Sequence, residues 1–145
     1  GARYNESMIQ YRVPIEGIKV STNKIYEGIH WAKRKNHKDS FLSYAGVFCR
    51  PIQKVGSYPV EISYRFVFRS KPLDTLNCAY MAKMLEDAFR TLGILEDDSP
   101  KFVAKSVIES AAHPSGKRKK GANAQKSKGN EEDGDHVVIT INSIK

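Results

Sequence analysis

Residues 71–103 place acidic side chains around Lys83 in a pattern suited to binding a divalent metal. Lys83 and Asp87 lie one turn apart in a predicted helix, and Asp97 and Asp98 follow the turn that ends this helix. Carboxylate oxygens are hard ligands that suit Mg²⁺, which usually takes one or two of them and keeps water molecules for a substrate phosphate. The acids predicted as metal ligands are Asp74, Asp87, Asp97 and Asp98.

Together with these acids, Lys83 and Asn77 provide groups for hydrolysing a phosphodiester. This reaction needs an activated water, a metal that polarises the phosphate, and a cation that offsets charge on the leaving oxygen. Lys83 suits the last role, and Asn77 offers an amide oxygen. Glu86 is one position from Asp87, so we expect it to face elsewhere on the helix. The residues predicted to act in catalysis are Asp74, Asn77, Lys83 and Asp98.

The same acids also have ordinary structural interpretations. Asp74 precedes the helix, where aspartate commonly forms a turn or caps the first helical turn. Asp87 can pair with Lys83 at i,i+4, which is compatible with metal binding. Asp97 and Asp98 could form a simple acidic turn, but adjacent carboxylates repel one another unless a cation is nearby. We therefore expect Asp98 to be a metal ligand.

Hydrophobic periodicity predicts the elements that must position these groups. Alternating apolar residues indicate strands, helical spacing indicates two amphipathic helices, and Gly93 is placed to end the second helix. Residues 21–31 have no clean period and are predicted to be a loop ordered by its ligand. Strands are predicted at 8–13, 58–69, 102–110 and 136–144, and helices at 32–48 and before Gly93. This order predicts an α+β fold with helices packed on one face of the sheet.

The composition indicates one domain with a polyanionic partner. The chain has 145 residues, 40% of them hydrophobic, and a formal net charge of +8. Between residues 19 and 54, eight lysines and arginines face two acids. Such an excess favours nucleic acid, although a merely soluble basic surface would have the same composition. The predicted DNA contacts are Asn23, Tyr26, His30, Trp31, Lys33, Arg34, Lys35, Lys117, Arg118, Lys119 and Lys120.

A segment at about 113–135 has no large apolar residue and carries a basic block followed by an acidic block. Because it cannot contribute to a core, we expect a flexible hairpin loop joining the last two strands of a single domain that spans 1–145. It could be an arm whose lysines bind nucleic-acid phosphates, or a tolerated solvated insertion.

Several other classes of protein do not fit the sequence. Cys49 and Cys78 are too few for a disulfide framework and lack zinc-site spacing. The four histidines show no metal-ligand spacing, and no serine or cysteine nucleophile is accompanied by a convincing base. No apolar run is long enough to cross a bilayer, and the polar start has no signal-peptide core. We expect a soluble, cytoplasmic protein.

Two motifs resemble the RusA-like Holliday junction resolvases. They are the early turn Ser21-Thr22-Asn23 and the pattern KxxxDAxxxxGxxxDD, which runs from Lys83 to Asp98. With the basic stretch and the long strand, the resemblance spans most of the chain. It implies a small α+β domain with a mixed sheet that forms a homodimer and cleaves branched DNA, such as four-way junctions. It also implies Mg²⁺ as the cofactor, with Mn²⁺ as a substitute.

The resemblance assigns roles to some residues and fails at others. In the family, a D-x-D-N motif at the start of the lysine-bearing helix and the second aspartate of the later pair hold the metal. Asp98 and Lys83 match that aspartate and the family's essential lysine. Counting back from Lys83 places Asn77-Cys78-Ala79-Tyr80 at the D-x-D-N position, so Asp74 and Asn77 would have to replace the missing acids. Two alternatives stay open: a non-catalytic protein that binds structured DNA, and a basic RNA-binding domain.

Overall fold

The computed structural model of the chain describes residues 8–28, 31–116 and 134–144. The described part contains four strands, three α-helices and one short 3₁₀ turn. In chain order these are β1 (Met8–Pro14), α1 (Thr22–Tyr26), α2 (Trp31–Phe48), β2 (Val60–Phe68), the 3₁₀ turn (Leu76–Cys78), α3 (Ala79–Leu92), β3 (Val103–Ala112) and β4 (His136–Ser143). None of the helices described is both long and apolar enough to cross a membrane.

The four strands form one mixed sheet in the order β1-β4-β2-β3. β4 pairs antiparallel with both of its neighbours, whereas β2 and β3 are parallel. One row across the sheet runs from Tyr11 through Ile139 and Tyr64 to Ile108. The predicted α+β class with a small mixed sheet is therefore confirmed.

The hydrophobic core lies between the sheet and the helices. The alternating residues of β1, β2 and β4 join one buried cluster with Phe41 of α2 and Leu85 of α3, both of which are fully buried. Arg12 and Arg65 occupy the intervening positions of β1 and β2 and are exposed. Side chains of successive strand residues point to opposite faces, so the helices cover one face and the arginines lie on the other. This arrangement confirms the prediction of helices on one face.

The prediction of a loop over residues 21–31 is wrong. The Ser21 hydroxyl accepts a hydrogen bond from the N–H of Lys24 at 3.3 Å and caps the five-residue helix α1, and α2 begins at Trp31. Ile25 is buried and anchors α1 to the domain. A helix this short contains too few apolar residues to produce a period in the sequence.

The predicted hairpin between the last two strands is also wrong, because β2 lies between β3 and β4. The chain passes from β2 through α3 to β3, which is the crossover that a parallel pair requires. The C-terminal end of the predicted flexible segment belongs to the folded domain, since Asp135 is buried. Residues 117–133 lie outside the described residues.

Candidate functional site

Helix α3 positions the lysine and the acids singled out in the sequence. Its apolar side, which includes Met81, Leu85 and Phe89, is fully buried, while Lys83 and Arg90 are exposed. The helix ends at Gly93, whose φ of 83° is a left-handed conformation that glycine adopts without strain.

The turn after α3 brings the paired aspartates back to the helix. The N–H groups of Ile94 and Leu95 both donate to the carbonyl of Phe89, and both side chains are buried. The chain is thus reversed and anchored just before Asp97 and Asp98. This local geometry explains how Asp98 can meet Lys83, which lies 15 positions earlier in the chain.

Five residues form a charged cluster: Lys83, Asp87, Arg90, Asp97 and Asp98. Lys83 Nζ lies 3.4 Å from Asp87 Oδ1 and 3.3 Å from Asp98 Oδ2. The Arg90 guanidinium lies 3.1 Å from Asp87 Oδ1, 3.7 Å from Asp98 Oδ2 and 3.8 Å from Asp97 Oδ1. The structure therefore brings together four of the predicted site residues and contains the expected i,i+4 pair.

Sequence reasoning missed Arg90. Its spacing of three residues from Asp87 was a usable signal, because residues at i,i+3 are neighbours on a helix. Its contacts with Asp97 and Asp98 depend on the turn at Gly93 and could not be read from spacing. Together with Lys83, it provides the nearby cation that the adjacent carboxylates were expected to need.

The ion pairs in the cluster perturb its pKa values. The hydrogen bond from Lys83 lowers the pKa of Asp98, and the charge of Arg90 acts in the same direction. Partial burial acts to lower the pKa of Lys83, but the carboxylates of Asp87 and Asp98 outweigh it and raise that pKa. Both partners are therefore charged at neutral pH, so the cluster offers carboxylates and an ammonium group together.

Glu86 borders the cluster from the sheet side. Its Oε1 accepts a hydrogen bond from the Tyr64 hydroxyl at 2.9 Å, so it faces a different direction from Asp87, as expected. Its charge is nevertheless coupled to the cluster. Burial raises the pKa of Glu86, with further contributions from the charges of Asp98 and Asp87, while Tyr64 and Lys83 oppose the shift.

Asp74 and Asn77 hold the start of α3. Asp74 Oδ1 accepts the N–H of Asn77 at 2.9 Å, which is the ordinary turn or capping role. Asn77 Oδ1 accepts the N–H of Asn23 at 3.0 Å, and Thr22 Oγ1 accepts the N–H of Tyr80 at 3.0 Å. These reciprocal bonds fasten α1 to the N-terminal end of α3, whereas the charged cluster lies along the middle and C-terminal end of the helix.

The donor set can be tested against the chemistry of Mg²⁺. Among the residues that the structure describes, no three or more His, Cys, Asp or Glu side chains are grouped to hold a metal ion. Two carboxylates do converge, because Asp87 and Asp98 both contact the same ammonium of Lys83. Mg²⁺ commonly takes one or two carboxylates and completes its shell with water, so two acids are enough in number, but both of these acids are paired with the Lys83 ammonium. Mg²⁺ binding by this pair stays a prediction. A shared role of Asp74 with Asp98 stays a prediction.

The predicted DNA contacts on the first two helices lie at the surface. Lys33, Arg34 and Lys35 are exposed near the start of α2, and Asn23 is exposed on α1. Tyr26, at the end of α1, has 83% of its surface exposed. His30, Lys117, Arg118, Lys119 and Lys120 lie outside the described residues, as does the side chain of Trp31.

The basic start of α2 lies beside the start of α3. His37 Nδ1 is 3.3 Å from the Tyr80 hydroxyl, and the two rings meet edge to face at 5.7 Å. Burial raises the pKa of Tyr80, which the charge of Arg34 opposes. Burial lowers the pKa of His37, and the charge of Lys33 adds to this effect. The predicted DNA-contact surface and the helix with the charged cluster are therefore neighbours.

The two cysteines are free and buried. Burial raises the pKa of Cys49 to about 12 and the pKa of Cys78 to about 11. A thiol that stays protonated and shielded is a poor nucleophile, which agrees with the exclusion of thiol catalysis.

No family model and no curated protein matches the chain.

Proposed function

We propose that the chain is a Mg²⁺-dependent endonuclease of the RusA type that cleaves four-way junctions or other branched DNA in recombination and repair. The observation that carries this proposal is the convergence of Asp87 and Asp98 on the ammonium of Lys83, beside a basic helix surface. Asp98 and Lys83 are also the two residues that match the family's essential positions.

The proposed roles follow from the chemistry of the side chains. Asp98 and Asp87 would hold Mg²⁺, which when bound polarises the scissile phosphate and supplies an activated water. Lys83 offsets negative charge on the phosphate as the leaving oxygen departs. Arg90 contacts both Asp97 and Asp98 and so keeps the paired aspartates against the helix despite their mutual repulsion.

Two surfaces would bring the substrate to this cluster. Lys33, Arg34 and Lys35 are placed to contact backbone phosphates, which fix the position of DNA without reading its sequence. Tyr26 offers an exposed ring on which an unpaired base at a branch point can stack. As in the family, the active form would be a homodimer, because a two-fold enzyme presents two equivalent clusters to a junction that has near two-fold symmetry.

The direct test is cleavage of a synthetic four-way junction with Mg²⁺. Asp98→Asn and Lys83→Met should each slow cleavage by at least about a hundredfold while leaving junction affinity within about twofold. The matched control is Glu96→Gln, an exposed acid in the same turn whose loss should leave the rate unchanged. Wild-type rates in Asp98→Asn would remove this residue from the mechanism.

A second candidate is a non-catalytic protein that binds structured DNA. It is favoured by the ion pairs that Asp87, Asp97 and Asp98 make with Lys83 or Arg90, which neutralise the carboxylates without a metal. This candidate predicts tight binding that weakens with salt, and no cutting at any concentration of Mg²⁺ or Mn²⁺. Competition between junction DNA and structured RNA separates both DNA candidates from an RNA-binding domain.

A further inference from the structure

A basic cleft lies on the face of the sheet that the helices leave uncovered. Strand register places Arg12 of β1 opposite Val138 of β4, and Val138 opposite Arg65 of β2. Residues directly opposite one another in adjacent strands share a face, so both arginines point away from the helices. Tyr64 points the other way and contacts Glu86 of α3, so the sheet separates the cleft from the charged cluster.

The cleft has a volume of about 240 Å³ and is bounded by the ends of β2 and β3 and the start of β4. Val67 and His136 are opposite one another in register and are both buried, which gives the cleft a solid floor. The His113 and His136 rings meet edge to face at 6.3 Å. The lining residues are Arg12, Arg65, Val67, Ala112, His113, Pro114 and His136.

The polar lining consists of basic side chains. Arg65 makes an ion pair with Glu109 at 3.6 Å, and both side chains are half exposed. Such a surface pair is worth little free energy, so the guanidinium can turn toward an anion at small cost. Burial lowers the pKa of His136, and the charges of Arg12 and His113 lower it further, whereas its bond to the Gly134 carbonyl and the charge of Asp135 oppose the shift. An anion in the cleft would offset the positive field of the arginines.

We propose that this cleft binds a phosphate group, from a nucleic-acid backbone or from a free nucleotide. Planar guanidinium groups match the oxygens of phosphate with paired hydrogen bonds. The His113 imidazole accepts the N–H of Ser115 at Nδ1, so its Nε2–H can add a further donor. The net charge of +8 directs the chain toward polyanions in general. The site is separate from the charged cluster and stands whether or not that cluster cleaves DNA.

The first experiment uses inorganic phosphate as the probe. The full chain is titrated while the ring signals of His113 and His136 are followed by NMR. Saturable shifts are expected in the wild type, and Arg65→Gln or Arg12→Gln should weaken binding about tenfold, the loss expected for a charge-assisted hydrogen bond. The matched control is Lys105→Gln, which removes one charge from a similar pair with Glu61 outside the cleft.

Lys105→Gln should change the phosphate affinity by less than about twofold, since screened charges at a distance contribute little. Equal weakening in Lys105→Gln and Arg65→Gln would mean a diffuse charge effect and would overturn the proposal. Absence of saturable shifts in the wild type would overturn it as well. Two arginine variants are used so that a folding defect in one does not decide the result.

The second experiment identifies the source of the phosphate. Affinities for a nucleoside monophosphate and for a short DNA duplex are measured without Mg²⁺, so cleavage plays no part. If nucleic acid is the ligand, removing Arg12 and Arg65 together should reduce the salt slope of duplex binding by about two, one per lost phosphate contact. If only the monophosphate loses affinity, the cleft is a nucleotide site. Unchanged affinity for both ligands would contradict phosphate binding at this cleft.

Discussion

Asp135 is a buried carboxylate on which three segments of the chain converge. It is 1% exposed, and its Oδ1 accepts the N–H groups of Arg69 and Ser70 at 2.7 and 3.0 Å. Its Oδ2 accepts the Ser70 hydroxyl at 2.5 Å and the ammonium of Lys19 at 2.7 Å. The carboxylate thereby joins the start of β4, the end of β2 and the segment after β1. Asp135→Asn should destabilise the fold markedly.

The expected loss can be worked out atom by atom. Asparagine keeps one carbonyl oxygen for the two backbone N–H groups but places an amide N–H₂ opposite Lys19. The lost bond to a charged group is worth about 1.5–3 kcal/mol, and leaving a buried charge unpaired costs about 3–5 kcal/mol. The Lys19 side chain is 29% exposed and can reach water, so the full cost of an unpaired buried charge does not apply. We expect a loss of about 2–3 kcal/mol from a total stability of about 5–15 kcal/mol.

Urea denaturation at pH 7 measures this loss. The control is Asp39→Asn, the same substitution in an exposed i,i+4 pair with Lys35, which should cost less than about 0.5 kcal/mol. If Asp135→Asn and Asp39→Asn lower the free energy of unfolding equally, the reasoning about the buried carboxylate is wrong.

The pH dependence gives a second check on Asp135. Burial acts to raise its pKa, but hydrogen bonds from Lys19, Ser70 and Arg69 outweigh burial and hold the pKa of Asp135 below 3.8. The stabilisation is therefore present above pH 3.8 and is lost as pH falls through the lowered folded-state pKa. The difference in stability between wild type and Asp135→Asn should narrow in that acidic range. A difference that stays constant there would refute the assignment to the charged form.

Two further predictions concern α3. Thr22→Val removes the hydroxyl that accepts the N–H of Tyr80 and should cost about 1 kcal/mol in denaturant unfolding, whereas Thr75→Val, at a hydroxyl that makes no capping bond, should cost less. Lys83→Met removes the hydrogen bond that lowers the pKa of Asp98, so this pKa should rise toward 3.8 in a carboxyl NMR titration. An unchanged pKa in that variant would show that the contact does not persist in solution.

Local patterns in the sequence were sufficient to predict most of the helices and strands and part of the charged cluster. The alternation through Tyr64 and the helical spacing around Leu85 predicted a strand and a helix, because side-chain direction follows directly from backbone geometry. The pair of Lys83 and Asp87 was predicted for the same reason, since it needs only one turn of helix. The turn at Gly93 was also predicted, and Asp98 and Lys83 were assigned to one site, but their direct ion pair was not predicted.

Long-range neighbours were decided by the tertiary structure alone. Helix α1, where the sequence predicted a loop, is held by its bonds to Asn77 and Tyr80, which are more than fifty residues away in the chain. Insertion of β4 between β1 and β2 replaced the expected hairpin and aligned Arg12 with Arg65 across Val138. Residue spacing encodes contacts within a few residues, but strand order depends on which packing buries the most apolar surface, and that is a property of the whole chain.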